Sequence, residues 1–386
     1  MDQTLIAGKV EQARAAVASD DTDCWITFCR ETDEVDEPCL PYILGFDVVW
    51  PTAVVVGPEA SAVVLGRHDA PNAERLGVHD VYPYDESFVP ALREALDSVA
   101  ADAETVAVNF DRDDNVADGL THGLYLQLRD AIGDEYEFAS AGDVVREVRG
   151  LKSATERERI YAAAETTEEL LAAMVEAWDP SWTEAEIVDW LHARMTERDL
   201  GSAWSWEYCP TVHAGGASEV GHTLPGDRSV PRNELLHVDF GVRQDGYSAD
   251  IQRLYVRGDV PDGLRSAFED VRAAIDAGHG VLEAGVEGHE VDTAAREALT
   301  DAGWPAFEHA FGHQVGRAAH DGGTLLGPLW DRYGDAPNGE VRVGEIYTME
   351  LGVDTEWGYV GQEEMVEITE TGTEWVVDPQ TELRSL

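Results

Sequence analysis

Between His237 and Val256 the sequence reads HVDFGVRQDGYSADIQRLYV, and two aspartates within it, Asp239 and Asp250, are spaced so that their carboxylates could share a metal pair. Asp245-Gly246 between two β-patterned runs is a strong signal for a two-residue hairpin turn. With that pair as the turn, Gln244 faces Tyr247 and, counting back, Asp239 faces Gln252. Asp250 lies two residues from Gln252 on the same strand, so both aspartates point to one face as diagonal cross-strand neighbours. Two carboxylates held together need a cation or a raised pKa, and a divalent metal is the simplest answer. Asp and Glu fill 77 of 386 positions, however, so such a pair carries little weight by itself.

The histidines add weight. The segment EHAFGHQVGRAAHDGG, residues 308–323, sets His309, His313 and His320 among glycines, in a chain with 12 histidines altogether. Imidazoles concentrated in this way suit metal ligation or proton transfer. Downstream, Glu350 lies in the apolar run 346–353, and Glu363 opens the strand-like EEMVEIT. A carboxylate inside an apolar strand is costly unless paired or ligated.

The elements that must position these residues change character along the chain. Residues 1–150 carry short apolar, β-branched runs at 25–28, 52–56, 62–65 and 105–109, with amphipathic stretches between and after them, notably 116–128. This pattern predicts an α/β domain with a mixed sheet. It has no phosphate-cradling glycine loop, so nucleotide binding is not indicated. A helical tract is expected from about 153 to 178, and another opens at Thr183, where Thr183 and Glu186 spell a capping box after the break at Pro180. Residues 201–260 read as β-rich, 262–302 as helical and 305–370 as strand and loop, with a domain boundary near 149–152.

The charge balance limits the partners. The formal net charge is −50, from 77 acids against 27 Lys plus Arg, and Lys9 and Lys152 are the only lysines. Such a surface repels nucleic acid and anionic membranes. The acids are spread evenly among apolar and aromatic residues, which argues against a disordered acidic tail and for a folded, halophilic protein in a salt-rich cytoplasm, where screening removes self-repulsion. Cys24, Cys29, Cys39 and Cys209 form no C-x-x-C pair and read as reduced thiols. No basic segment followed by an apolar run opens the sequence and no eighteen-residue apolar window occurs, so a cytoplasmic, soluble protein is expected.

Taken together, Asp239, Asp250, His313, Glu350 and Glu363 resemble, in order, the five-ligand site of the M24-type metallopeptidases, the creatinase/prolidase/aminopeptidase P or pita-bread family, to which methionyl aminopeptidase also belongs. The eleven-residue step between the aspartates and the seven-residue step between His313 and His320 in GH-x-x-G-x-x-x-H both agree with the family pattern. His222, in GHTLPGD, lies 17 residues before Asp239, where the family has another active-site histidine, and AGVEGHEVDTAAREAL (284–299) looks like the family's opening helices. The resemblance covers roughly residues 150–370. It implies an α/β plus α+β chain: a creatinase-type N-terminal mixed α/β domain over 1–150, then a pita-bread catalytic domain over 151–386 with a curved antiparallel sheet.

The resemblance also implies roles. Asp239 would hold one metal, Asp250 and Glu363 would bridge the pair, and His313 and Glu350 would complete the second. The two divalent ions could be Mn, Co, Fe or Zn, and their bridging hydroxide would attack the scissile carbonyl. Glu350 would shuttle the proton, and His320 and His222 would hydrogen-bond the substrate and the tetrahedral intermediate. His309 matches a family position lining the pocket. Arg317 offers a guanidinium for a substrate carboxylate, or pairs with one of the nearby acids. His213, with Trp204 and Trp206 before it, lines the pocket or simply packs. One departure stands out: two residues before the last ligand the family usually carries Arg, and here Gly361 leaves that supporting cation out.

The leading reading is a Xaa-Pro dipeptidase or aminopeptidase P acting on dipeptides or peptides as a homodimer. The alternatives are a same-fold hydrolase or lyase on a small non-peptide metabolite, and a catalytically silent binding protein. The charge reading has its own test. Melting temperature should rise steeply from dilute buffer to molar KCl, and an unchanged value would contradict salt adaptation.

Overall fold

A computed structural model describes residues 2–386 other than 219 and 222. The chain divides into two compact units, Met1–Ser153 and Ala154–Leu386.

In the first unit the β-branched runs become a six-stranded mixed sheet in the order Asp80–Tyr84, Ser61–Gly66, Thr52–Val56, Cys24–Cys29, Thr105–Val108, Glu137–Ser140. The inner strands are buried on both faces, so alternate residues feed two cores. Trp25, Val54 and Val63 pack with Ile6 and Val10 of the helix Gln3–Ser19. Ile26, Val55 and Val64 pack with Leu92 of Phe88–Val99 and Leu128 of His122–Ile132. The stretch 116–128 turns helical only at His122, because the segment before it docks as a loop, with Leu120 N–H donating to the Asn109 carbonyl at 2.8 Å. All four cysteines are buried free thiols.

The second unit opens with helices Ala154–Ala177 and Glu184–Glu197. The latter starts with the expected capping box: Glu186 N–H donates to the Thr183 hydroxyl at 3.2 Å, and Thr183 N–H to the Glu186 carboxylate at 2.9 Å. The Asp245-Gly246 turn forms with φ of 50° and 80°, left-handed at both residues as a type I′ turn requires. The register follows the spacing, with Gln244 opposite Tyr247 and Asp239 opposite Gln252.

The main sheet of this unit is curved and antiparallel along its length. Its strands run in the order Ile346–Thr355, Gly358–Thr369, Ile251–Val256, Leu235–Phe240, Thr211–Ala214. Gly372–Trp375 pairs with the second of these, and Arg384–Ser385 lies parallel to the third. Helices Asp262–His279 and Gly288–Asp301 pack Phe268, Val271, Ile275 and Leu299 into a core with Met349, Leu351 and Val353 of the sheet.

Residues directly opposite in a ladder point to the same face. Thr211, Asp239, Gln252, Glu363 and Glu350 are such partners in succession, so they form one row across five strands. The next residue after Gln252 points the other way. Arg253 is fully buried there, ion-paired with Glu168 and, at 3.0 Å, with Glu364. Its Nη1 donates to the carbonyls of Gln252 at 2.8 Å and Glu363 at 3.1 Å, tying together the backbones of two strands that carry the row. Among the described residues, no helix is long and apolar enough to cross a membrane.

Candidate metal centre

His313 closes the row from above. Its Nε2 lies 3.8 Å from an Asp250 oxygen, 3.8 Å from Glu350 Oε1 and 3.9 Å from Glu363 Oε1. One ligand atom each from Asp250, His313 and Glu363 falls within 4.8 Å of the other two. The histidine is placed by backbone bonds: Thr348 N–H donates to the His313 carbonyl at 2.8 Å, and His313 N–H donates to the Thr348 hydroxyl at 3.3 Å. The glycine before it is required, since a Cβ on Gly312 would collide with the Thr348 carbonyl.

The electrostatics are those of buried acids crowded together. Burial first, and then the neighbouring carboxylates, push Asp239, Asp250 and Glu363 well above the usual carboxylate range. Burial, reinforced by His320, pulls His313 down to about 3, so its ring is neutral and offers a lone pair rather than a charge. Asp239 Oδ1 is buried without a hydrogen-bond partner. Oxygen ligands gathered around one neutral imidazole, one of them with an orphaned oxygen, form a donor set that fits divalent ions of the Mn-to-Zn series.

A cavity of about 470 Å³ opens onto this row. Trp204, Ser205, Tyr208, Thr211 and Ala319 wall it, and Asp239, Asp250, His313, His320, Glu350 and Glu363 complete the lining. His320 is exposed on this wall, its ring 4.3 Å from that of His313 and roughly perpendicular to it. Glu350 is half-buried, in contrast to the nearly inaccessible Glu363.

Three residues considered for the substrate pocket, Arg317, His309 and His213, do not line this cavity. The guanidinium of Arg317 sits over the Tyr247 ring, 5.2 Å from its centroid, in space that Gly246 leaves open at the hairpin turn. His309 is half-buried against Phe307, with Nδ1 2.7 Å from the Ala310 carbonyl. His213 is buried beside the row, with its Nδ1 3.1 Å from that of His237. Arg317 and His213 are held by partners distant in sequence, which motif spacing does not disclose, and His309 by its near neighbours Phe307 and Ala310. His222 lies outside the described residues. Sequence reasoning passed over Gln252 and His237, although their alternation with Asp250 and Asp239 along each strand already put them on the acidic face.

Comparison with known proteins decides the family. Residues 158–370 match the profile of metallopeptidase family M24, more than half of the chain. The chain belongs to metallopeptidase family M24. It is therefore a hydrolase of a family whose peptidases depend on divalent metal. It is 26% identical over 249 residues to a Xaa-Pro dipeptidase of Pyrococcus furiosus, covering 64% of this chain and 68% of that protein. In fold it is similar to the dipeptidase PepE of Mycobacterium ulcerans, at a TM-score of 0.79 and 23% identity over 100% of this chain and 99% of that one. A Xaa-Pro dipeptidase of Bacillus anthracis gives 0.78 and 20% over 99% and 100%. The pita-bread architecture expected from the resemblance is thus the fold of this M24 chain.

The raised carboxyls set a pH dependence. A carboxyl whose folded pKa exceeds its unfolded value destabilises the metal-free fold increasingly as pH rises from the unfolded value toward the folded one. A bound cation removes that cost. The gain in melting temperature on adding Mn²⁺ to chelated protein in molar KCl should therefore grow from about pH 5.5 to about pH 7.5. A gain that shrinks over this interval would contradict the assignment.

Proposed function

We propose that this M24 chain hydrolyses the Xaa-Pro bond of peptides with a pair of divalent ions held by Asp239, Asp250, His313, Glu350 and Glu363. The observation that carries the reading is the buried acid row facing a neutral His313, with Asp239 Oδ1 left without a partner. Mn, Co, Fe or Zn would suit these ligands. When bound, the pair supplies Lewis acidity and an activated water.

The chain's own groups do the rest. Glu350 is more accessible than Glu363, so its carboxylate can take a proton from the attacking water and pass it to the leaving proline nitrogen. His320, exposed on the cavity wall, donates a hydrogen bond to the oxygen that gains charge as the carbonyl is attacked. His222 is assigned the companion role at the substrate amide by the family pattern. Trp204, Tyr208 and Ala319 give the cavity an apolar wall, which suits a proline ring and excludes water from the bond being cut. The relative from Pyrococcus furiosus, named a Xaa-Pro dipeptidase, supports this substrate class. The first unit is read as a creatinase-type domain, and the working protein as a cytoplasmic homodimer adapted to salt.

The test is hydrolysis of a Xaa-Pro panel, dipeptides beside longer peptides, in molar KCl after chelation and readdition of Mn²⁺ or Co²⁺. Cleavage should require the metal, and Glu350→Gln should lower kcat by about 100-fold or more. Cleavage of dipeptides alone would define a dipeptidase, and cleavage of longer chains an aminopeptidase. A metal-loaded protein that cleaves none of them would overturn the Xaa-Pro reading in favour of a small non-peptide substrate.

A further inference from the structure

Gly361 stands where the family pattern has a supporting Arg, yet the space is full. A Cβ on Gly361 would lie 2.6 Å from Gln252 Oε1 and would collide with the Tyr359 ring. Gln252 is itself buried in the middle of the acid row. Its Nε2 donates to Glu363 Oε2 at 3.1 Å and to Glu350 Oε2 at 3.2 Å. Its Oε1 lies 2.8 Å from His237 Nε2. The Nδ1 of His237 is 3.1 Å from the Nδ1 of His213, the two rings lie edge to edge with their planes 10° apart, and the Tyr359 ring meets His237 edge-on at 5.2 Å.

The donors in this chain can run in only one direction. An amide oxygen only accepts, so His237 carries a proton on Nε2. A His237 with its proton there has a lone pair on Nδ1, which the His213 Nδ1–H fills. Turning the amide over would aim its oxygen at two carboxylates, losing both of the hydrogen bonds it donates to them. The acids thus fix which end of Gln252 meets them, the histidine pair holds its other end, and both amide protons are spent on the oxygens that would otherwise swing freely. A neutral amide does this without the charge of a guanidinium, so it orients the carboxylates without neutralising them.

We infer that Gln252, held at its far end by the hydrogen-bonded His213–His237 pair, is the positioning residue that sets Glu350 and Glu363 for metal binding, in place of the Arg that Gly361 leaves out. The inference rests on the assignment of Glu350 and Glu363 as metal ligands. Gln252 acts through those ligands, and His237 acts through Gln252.

The test compares the full-length protein with Gln252→Met, His237→Phe and the double variant in molar KCl. It measures Co²⁺ affinity by titration and the visible absorption of the bound Co²⁺, which reports ligand geometry independently of turnover. Gln252→Met should weaken Co²⁺ binding by about 10- to 100-fold and shift the Co²⁺ spectrum, with the metal-free far-UV circular dichroism unchanged. His237→Phe, which touches no ligand, should do the same to a smaller degree. The double variant should be no worse than Gln252→Met alone, because the two residues act in series. If Gln252→Met fails to fold, His237→Phe decides: a spectrum and affinity equal to those of the unaltered protein would overturn the inference. Wild-type affinity in a folded Gln252→Met, or additive losses in the double variant, would overturn it as well. In those cases the unaltered protein still binds Co²⁺, so the metal assignment stands; a failure of the unaltered protein to bind it would overturn both.

Discussion

Carboxyl groups crowded on one face of a sheet repel one another, and burial deprives them of the water that would otherwise screen the repulsion. Asp250, Glu350 and Glu363 are held in that condition around His313, with Asp239 on the same cavity lining and no positive charge on the imidazole to offset them at neutral pH. Such an arrangement is tolerable in a metal-free chain only if protons are retained, and the raised carboxyl pKa values record that cost. Much of the second unit can be understood as the means of keeping these groups together in spite of it.

The backbone supplies most of the restraint. Four of the row's five members are consecutive ladder partners on inner or long strands, so the sheet fixes their spacing before any side chain is considered. The opposite face adds a clamp, since Arg253 grips the carbonyls of Gln252 and Glu363 while pairing with buried Glu364. Breaking one partner of such a buried network typically costs about 3–5 kcal/mol, because the other charge is left uncompensated. A cation thus lies directly behind the strands that carry the acids, close enough to order their backbone and on the wrong face to neutralise their carboxylates.

A good part of this was legible in the sequence for local reasons. Asp245-Gly246 dictates a two-residue turn, and strand alternation then carries the register to Asp239 and Gln252 without further information. Thr183 and Glu186 cap their helix by contacts three residues apart. The strands at 24–29, 52–56, 61–66 and 105–108 announced themselves because both their faces are buried. The edge strands Asp80–Tyr84 and Glu137–Ser140 did not, being half-exposed and mixed in composition. The directions of Arg317, His309 and His213 were equally hidden, since each is set by packing against Tyr247, Phe307 or His237. The glycine at 361 reads in sequence as a missing cation. In three dimensions it is the room that Tyr359 and the Gln252 amide occupy.

The most direct test of the account is a count of metal per chain, by elemental analysis of protein loaded with Mn²⁺ in molar KCl and freed of excess by gel filtration. The acid row around His313 predicts two ions per chain, and no retained metal in a variant carrying both Asp250→Asn and Glu363→Gln. A chain that retains no divalent ion, or a double variant that retains as much as the unaltered protein, would contradict the claim that this row is a metal centre.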